Sequence, residues 1–157
     1  MATRITQRSL FSSLTVDGRR LDGTALAAHF NAWRAEDTDN EAAWREPLER
    51  TVLELAQGRG GLTAWTSGTT GPPKRFSIPR RDLISSAQVT ARTFGLDAGD
   101  RALHCLPCDF VAGKMMLVRA FVLGLDLHII DPRGNLFTHL DPSLRFRFTP
   151  MVPLQLH

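Results

Sequence analysis

Lysine is nearly missing from this chain: 17 of its 19 basic residues are arginine, leaving only Lys74 and Lys114. The arginines are spread along the whole sequence and the formal net charge is only +3. Nucleic-acid binders gather their basic residues on one face or tail, so a small RNA-associated protein is disfavoured and no nucleic-acid partner is expected. Cysteine is scarce too. Its two copies form Cys105-Leu106-Pro107-Cys108, with no second C-x-x-C and no pair of histidines at a ligand-like spacing, which argues against a zinc site. A redox pair belongs at a helix N-terminus, whereas Cys105 closes an apolar, strand-like run. Both thiols are therefore expected to be small packed residues near a strand end, and no protein-held metal is expected. Long apolar runs are absent: the longest, Met115 to Leu125, is broken by Arg119 and falls short of a membrane span. The arginine-bearing segment Met1 to Leu21 has no apolar core of a signal peptide. A cytoplasmic location without a membrane partner is the expectation.

The chain has 157 residues, 43% hydrophobic and 22% charged. That is the size and composition of one folded domain rather than of a disordered segment. Residues 1–61 form a mainly helical preface to the same domain. It opens with one short β-like segment, Leu14-Thr15-Val16, and the turn signal Asp17-Gly18. Thr24 can cap a first helix bearing Leu26, Phe30 and Trp33. Asn40 can cap a second, whose stripe is Trp44, Leu48, Val52, Leu53 and Leu55, before Gly58-Arg59-Gly60-Gly61 stops it.

Residues 62–157 alternate short apolar strands with helices of about a dozen residues, the pattern of a parallel or mixed sheet flanked by helices. Strands are predicted at Leu62 to Trp65, Arg75 to Ile78, Ala102 to Leu106, Asp126 to Ile130 and Phe146 to Phe148. Helices are predicted from Pro79 to Gly95 and from Val111 to Gly124, with a weak helix or loop from Asn135. The class is α/β. The apolar ending Met151 to His157 looks like the start of a further element, so the working protein is expected to be longer than this chain.

Between the first two of these strands stands Thr66-Ser67-Gly68-Thr69-Thr70-Gly71-Pro72-Pro73-Lys74. Glycines let a backbone come close to an anion, hydroxyls and amide N–H groups donate to phosphate oxygens, and an ammonium adds a compact charge. The string is not G-x-x-x-x-G-K-[ST], because two prolines separate Gly71 from Lys74, and it is not G-x-G-x-x-G. Gly, Ser, Thr and Pro are also ordinary turn residues, although a plain hairpin connection takes two to five of them. Composition leaves a phosphate loop and a simple turn both open.

The nine-residue string resembles the phosphate-binding signature of the adenylate-forming superfamily, which includes acyl- and aryl-CoA ligases, luciferases and the adenylation domains of peptide synthetases. Downstream, Leu106-Pro107-Cys108-Asp109-Phe110-Val111-Ala112-Gly113 is similar to the family's strand ending in L-P, followed by an aromatic and a Gly. Phe148-Thr149-Pro150-Met151-Val152-Pro153 resembles its next strand and proline. The resemblance covers Leu62 to His157. The early position of the signature and the run Asp109 to Met116 resemble the o-succinylbenzoate–CoA ligase branch of menaquinone biosynthesis.

This resemblance implies the N-terminal subdomain portion of an adenylate-forming enzyme. Thr66, Ser67, Gly68, Thr69, Thr70, Gly71 and Lys74 would hold the phosphates of ATP, which comes with Mg2+. A carboxylic acid would attack the α-phosphorus, and CoA would then displace AMP. Phe110, Gly113 and Lys114 are the implied substrate-pocket residues. The family often has His at the place of Phe110, so an aromatic lining role carries over and a gating or acid–base role does not. The family's acidic T-E motif, its ribose-binding Asp and its C-terminal catalytic Lys have no counterpart here, so this chain is not expected to catalyse the reaction alone. A non-catalytic ATP- or pyrophosphate-binding fragment is the alternative. The implied partners are a small carboxylic acid, ATP and CoA, with a homodimer left open.

Overall fold

A computed structural model describes residues 9–35, 43–57, 60–65, 72–133 and 135–156. β1 (Ser13–Val16) alternates half-buried and buried positions, with Leu14 and Val16 turned to the core. It pairs antiparallel with β2 (Arg19–Asp22), Val16 facing Arg19 across a two-residue turn. Asp17 and Gly18 both have positive φ, at 47° and 74°. This is the turn whose twist matches the flanking strands and whose preferred sequence is Asp-Gly.

The preface is thus not only helical. β2 escaped sequence reading because Leu21 is its one buried residue and the other three are exposed and charged. As an edge strand it is placed by the turn, and its own pattern carries no signal.

α1 (Gly23–Ala35) buries Leu26 and Phe30. α2 (Arg45–Gln57) buries Leu48, Val52 and Leu55 and carries Pro47 in its first turn, where a missing N–H does no harm. α2 begins at Arg45, with Trp44 in the turn before it; the expected cap, Asn40, lies outside the described residues.

β3 (Leu62–Trp65) and β4 (Arg75–Ile78) form a separate antiparallel pair, with Leu62 opposite Ile78 and Trp65 opposite Arg75. α3 (Arg80–Phe94) follows and ends at Gly95, left-handed at φ 61°, whose N–H bonds the Ala91 carbonyl. β5 (Arg101–His104), α4 (Val111–Leu123) and β6 (Asp126–Ile129) make a parallel crossover unit, Ala102 facing Leu127 and His104 facing Ile129.

The main sheet has the order β2-β1-β6-β5, with β1 parallel to β6 and antiparallel to β2. It is a mixed sheet flanked by helices. β5 ends two residues earlier than expected, and β6 one residue earlier. The predicted strand at Phe146 to Phe148 is a single bridge, Phe148 to Ala102, anchored by Leu103 N–H to the Phe148 carbonyl at 3.0 Å. The weak helix after Asn135 is a short 3-10 turn, Leu136–His139, and the apolar ending holds another, Pro153–Leu156.

α4 is buried around most of its circumference and packs on α3, α2 and the sheet. No described helix is long and apolar enough to cross a membrane.

Candidate functional site

The stem of the β3–β4 hairpin places the candidate loop. Trp65 and Arg75 are register partners, so a connection of nine residues leaves and returns at one point. Thr66, Ser67, Gly68, Thr69, Thr70 and Gly71 lie outside the described residues. Lys74 is described: it is exposed and immediately precedes β4.

Below the stem is a hollow of about 590 Å³. α2 contributes Arg50 and Glu54, the hairpin Thr63, Trp65 and Arg75, and the β5–α4 connection Cys108, Asp109 and Lys114. Three cations face two carboxylates there. The loop stem and the segment after Leu106-Pro107, far apart in sequence, therefore border one cavity.

Of the three pocket residues implied by sequence, Lys114 lines this hollow. Only 7% of it is exposed, and its Nζ donates to the Thr63 carbonyl at 2.8 Å. Phe110 is not among the lining residues; it stands at the N-cap of α4 with 66% of its surface exposed. Gly113 is buried for a packing reason. A Cβ built on it would lie 2.3 Å from the Pro107 carbonyl oxygen, so α4 can approach the preceding loop only if this residue has no side chain.

Sequence reasoning missed Arg50, Glu54, Thr63, Trp65, Arg75, Cys108 and Asp109 as cavity residues. Trp65 and Arg75 flank the loop and were findable as its neighbours, and Cys108 and Asp109 lie inside the quoted motif. Nothing in the local pattern of α2 sets Arg50 and Glu54 apart from other charged helix residues.

Both cysteines are free and buried, beside the end of β5 as expected. Burial pushes the Cys105 thiol up to about 11 and the Cys108 thiol up to about 12. Neither is a nucleophile at neutral pH, because the thiolate is the reactive form. His104 is a core residue. Its Nδ1 accepts from the Leu106 N–H at 3.5 Å, which leaves the proton on Nε2, 3.3 Å from the Cys108 sulfur.

Burial pushes this imidazole down from its ordinary 6.5 to about 4. The unfolded chain then binds a proton that the folded one refuses. Stability from this group is complete above pH 6.5 and is lost as pH falls through 6 and 5 toward 4, by roughly 3 kcal/mol. Urea denaturation across this range should show that loss, and His104→Gln should flatten it. An equal slope in the variant would mean that other groups drive the acid sensitivity.

Comparisons with known proteins show the family. The family model described as AMP-binding enzyme matches residues 14–157. The chain belongs to this family, the adenylate-forming enzymes. It is 31% identical over 126 residues to the chondramide synthase cmdD of Chondromyces crocatus, a match covering 80% of this chain and 3% of that protein. It is 29% identical over 97 residues to the 2-succinylbenzoate–CoA ligase of Staphylococcus aureus, covering 60% of this chain and 20% of the ligase. Among solved structures, an acyl-CoA synthetase (AMP-forming)/AMP-acid ligase II-like protein from Dyadobacter fermentans superposes with a TM-score of 0.65 at 32% identity. That match covers 78% of this chain and 35% of the other. The chain thus spans a small part of the curated relatives it matches and about a third of this structural one.

Proposed function

We propose that this chain is the ATP-phosphate-gripping part of an acid–CoA ligase, one that activates an aromatic acid such as o-succinylbenzoate as its adenylate. The observation that carries the reading is the shared cavity: the stem of the hydroxyl-rich loop and the segment after Leu106-Pro107 border one hollow with three cations on its wall. A polyphosphate loop needs donors and positive charge at its base, and Arg75 and the neighbouring Lys74 supply the charge. Gly68 and Gly71 allow the backbone to wrap the phosphates, and Ser67, Thr69 and Thr70 donate hydroxyls to them.

As the acid's carboxylate attacks the α-phosphorus, the bond to the pyrophosphate oxygen breaks, and Lys74 balances the charge that the leaving group gains. The CoA thiolate then attacks the acyl carbon and AMP departs. Thr66 adds a further hydroxyl for the phosphates, and Phe110 and Gly113 are assigned to the acid's side of the site. Mg2+ would enter the site on the phosphates of ATP.

Titration with Mg-ATP by calorimetry tests the reading. Saturable binding that inorganic pyrophosphate displaces is the expected result. A folded chain that takes up no heat with Mg-ATP would overturn it.

A further inference from the structure

Thr63 lies in β3 opposite Ser77 of β4. Among the described residues β3 has no strand on its other side. Alternate residues of an antiparallel pair turn both backbone groups away from the partner, and Thr63 is such a residue. An outward N–H and C=O left without partners would each weaken a two-stranded hairpin that is marginal by itself.

Both are taken up, and by side chains from two different helices. The Thr63 N–H donates to Glu54 Oε1 at 2.9 Å, and the Thr63 carbonyl accepts from Lys114 Nζ at 2.8 Å. Each bond has one charged member, which makes it shorter and stronger than a neutral pair. Lys114 is a buried ammonium in a helix that continues Met115-Met116-Leu117, a place where charge is tolerated only when it is engaged.

The far end of the hairpin is held separately. Arg80 donates to the Leu55 carbonyl at 2.6 Å and the Gly60 carbonyl at 3.1 Å, with its guanidinium 4.4 Å from the Phe11 ring centre. Between Thr63 and the loop stand only Ala64 and Trp65, roughly 7 Å of extended chain.

We propose that Glu54 and Lys114 form a two-point clamp on the open edge of β3, and that they are positioning residues which hold the root of the 66–74 loop still enough to grip polyphosphate. The second half of this proposal rests on the nucleotide reading above; the first half does not. The clamp does the work of a third strand while leaving the hollow beneath the stem open. It also explains why one of two lysines sits inside an apolar helix: the ammonium is there for a backbone carbonyl of the loop stem.

The test pairs amide hydrogen exchange, resolved by NMR, with Mg-ATP titration of the same samples. Glu54→Leu should speed exchange of the Thr63 amide by about ten-fold or more, and Glu54→Gln, which keeps the acceptor, should restore most of the protection. Lys114→Met, of similar length and without the donor, should speed exchange at Ala64 and its cross-strand partner Phe76 while leaving the Val118 and Leu127 amides as slow as before. It should also weaken Mg-ATP binding by about ten-fold, the size of one charged hydrogen bond.

Unchanged exchange in the hairpin overturns the clamp, and so does equal acceleration at Val118 and Leu127, which marks general loss of stability. Faster exchange with unaltered Mg-ATP affinity overturns the positioning role. A parent protein that binds no Mg-ATP but shows the exchange pattern removes the nucleotide reading and the positioning role, and leaves the clamp standing.

Discussion

Gly113→Ala should lower the free energy of unfolding by about 2 kcal/mol, or roughly 6 °C in Tm for a chain of this size. Helix propensity alone argues the opposite way. Alanine in place of an interior helix glycine ordinarily adds about 1 kcal/mol. Here the new Cβ would meet the Pro107 oxygen at 2.3 Å, the Pro107 carbonyl carbon at 2.7 Å and the Leu106 oxygen at 2.8 Å. All three are backbone atoms, so no rotamer change relieves the contact. Nor is the Pro107 carbonyl free to retreat, since it accepts from the Phe110 N–H at 3.3 Å. The helix must move away from the loop, taking Lys114 with it and loosening the bond to Thr63. Urea denaturation measures the outcome. An alanine variant more stable than its parent would show that α4 and the β5–α4 connection are not in close contact.

Lys74→Ala should weaken Mg-ATP binding by about 10- to 100-fold, the equivalent of one hydrogen bond to a charged group. Lys74 is exposed beside Arg75 at the foot of the loop, so the protein pays little to place the charge there and its structural loss should be small. Arginine in its place would keep the sign of the charge but spread it over a planar fork, and should recover only part of the affinity. The loss should shrink as salt is raised, because an exposed charge acts through a screened field. Calorimetric titration at two ionic strengths measures both effects. Affinity unchanged by Lys74→Ala would remove this lysine from the phosphate site and leave its role in adenylation without support.

The helices after the loop were legible because several signals agreed. α4 runs from Val111 to Leu123 with Gly124 left-handed at φ 68°, and α3 stops at a left-handed Gly95. Each has apolar residues recurring at helical spacing and a glycine at its end, both properties of the local chain. β2 and the Phe148 bridge depend on partners elsewhere: β2 is placed by the Asp17-Gly18 turn, and Phe148 by the outer edge of β5. No single-strand pattern encodes a neighbour.

The candidate site divides in the same way. Its loop was visible because it needs unusual composition in one run. Its floor was not, because Glu54 and Lys114 meet at Thr63 from helices 60 residues apart, and either alone looks like a surface charge or a lysine with its stem in an apolar face. The lysine's partner proved to be the chain itself.

The parallel pairing of β1 with β6 also bears on how the chain is made. Thr15 finds its partner at Asp126, about 110 residues later. At translation speeds of about 5–20 residues per second, the β1–β2 hairpin waits roughly 5–20 s for the strand that completes its sheet. For most of that interval α1 is the helix that covers β1, because α4, which also packs on β1, is made just before β6. The first helix of the preface thus acts first as a temporary shelter for a waiting strand, and only later as one flank of the finished sheet.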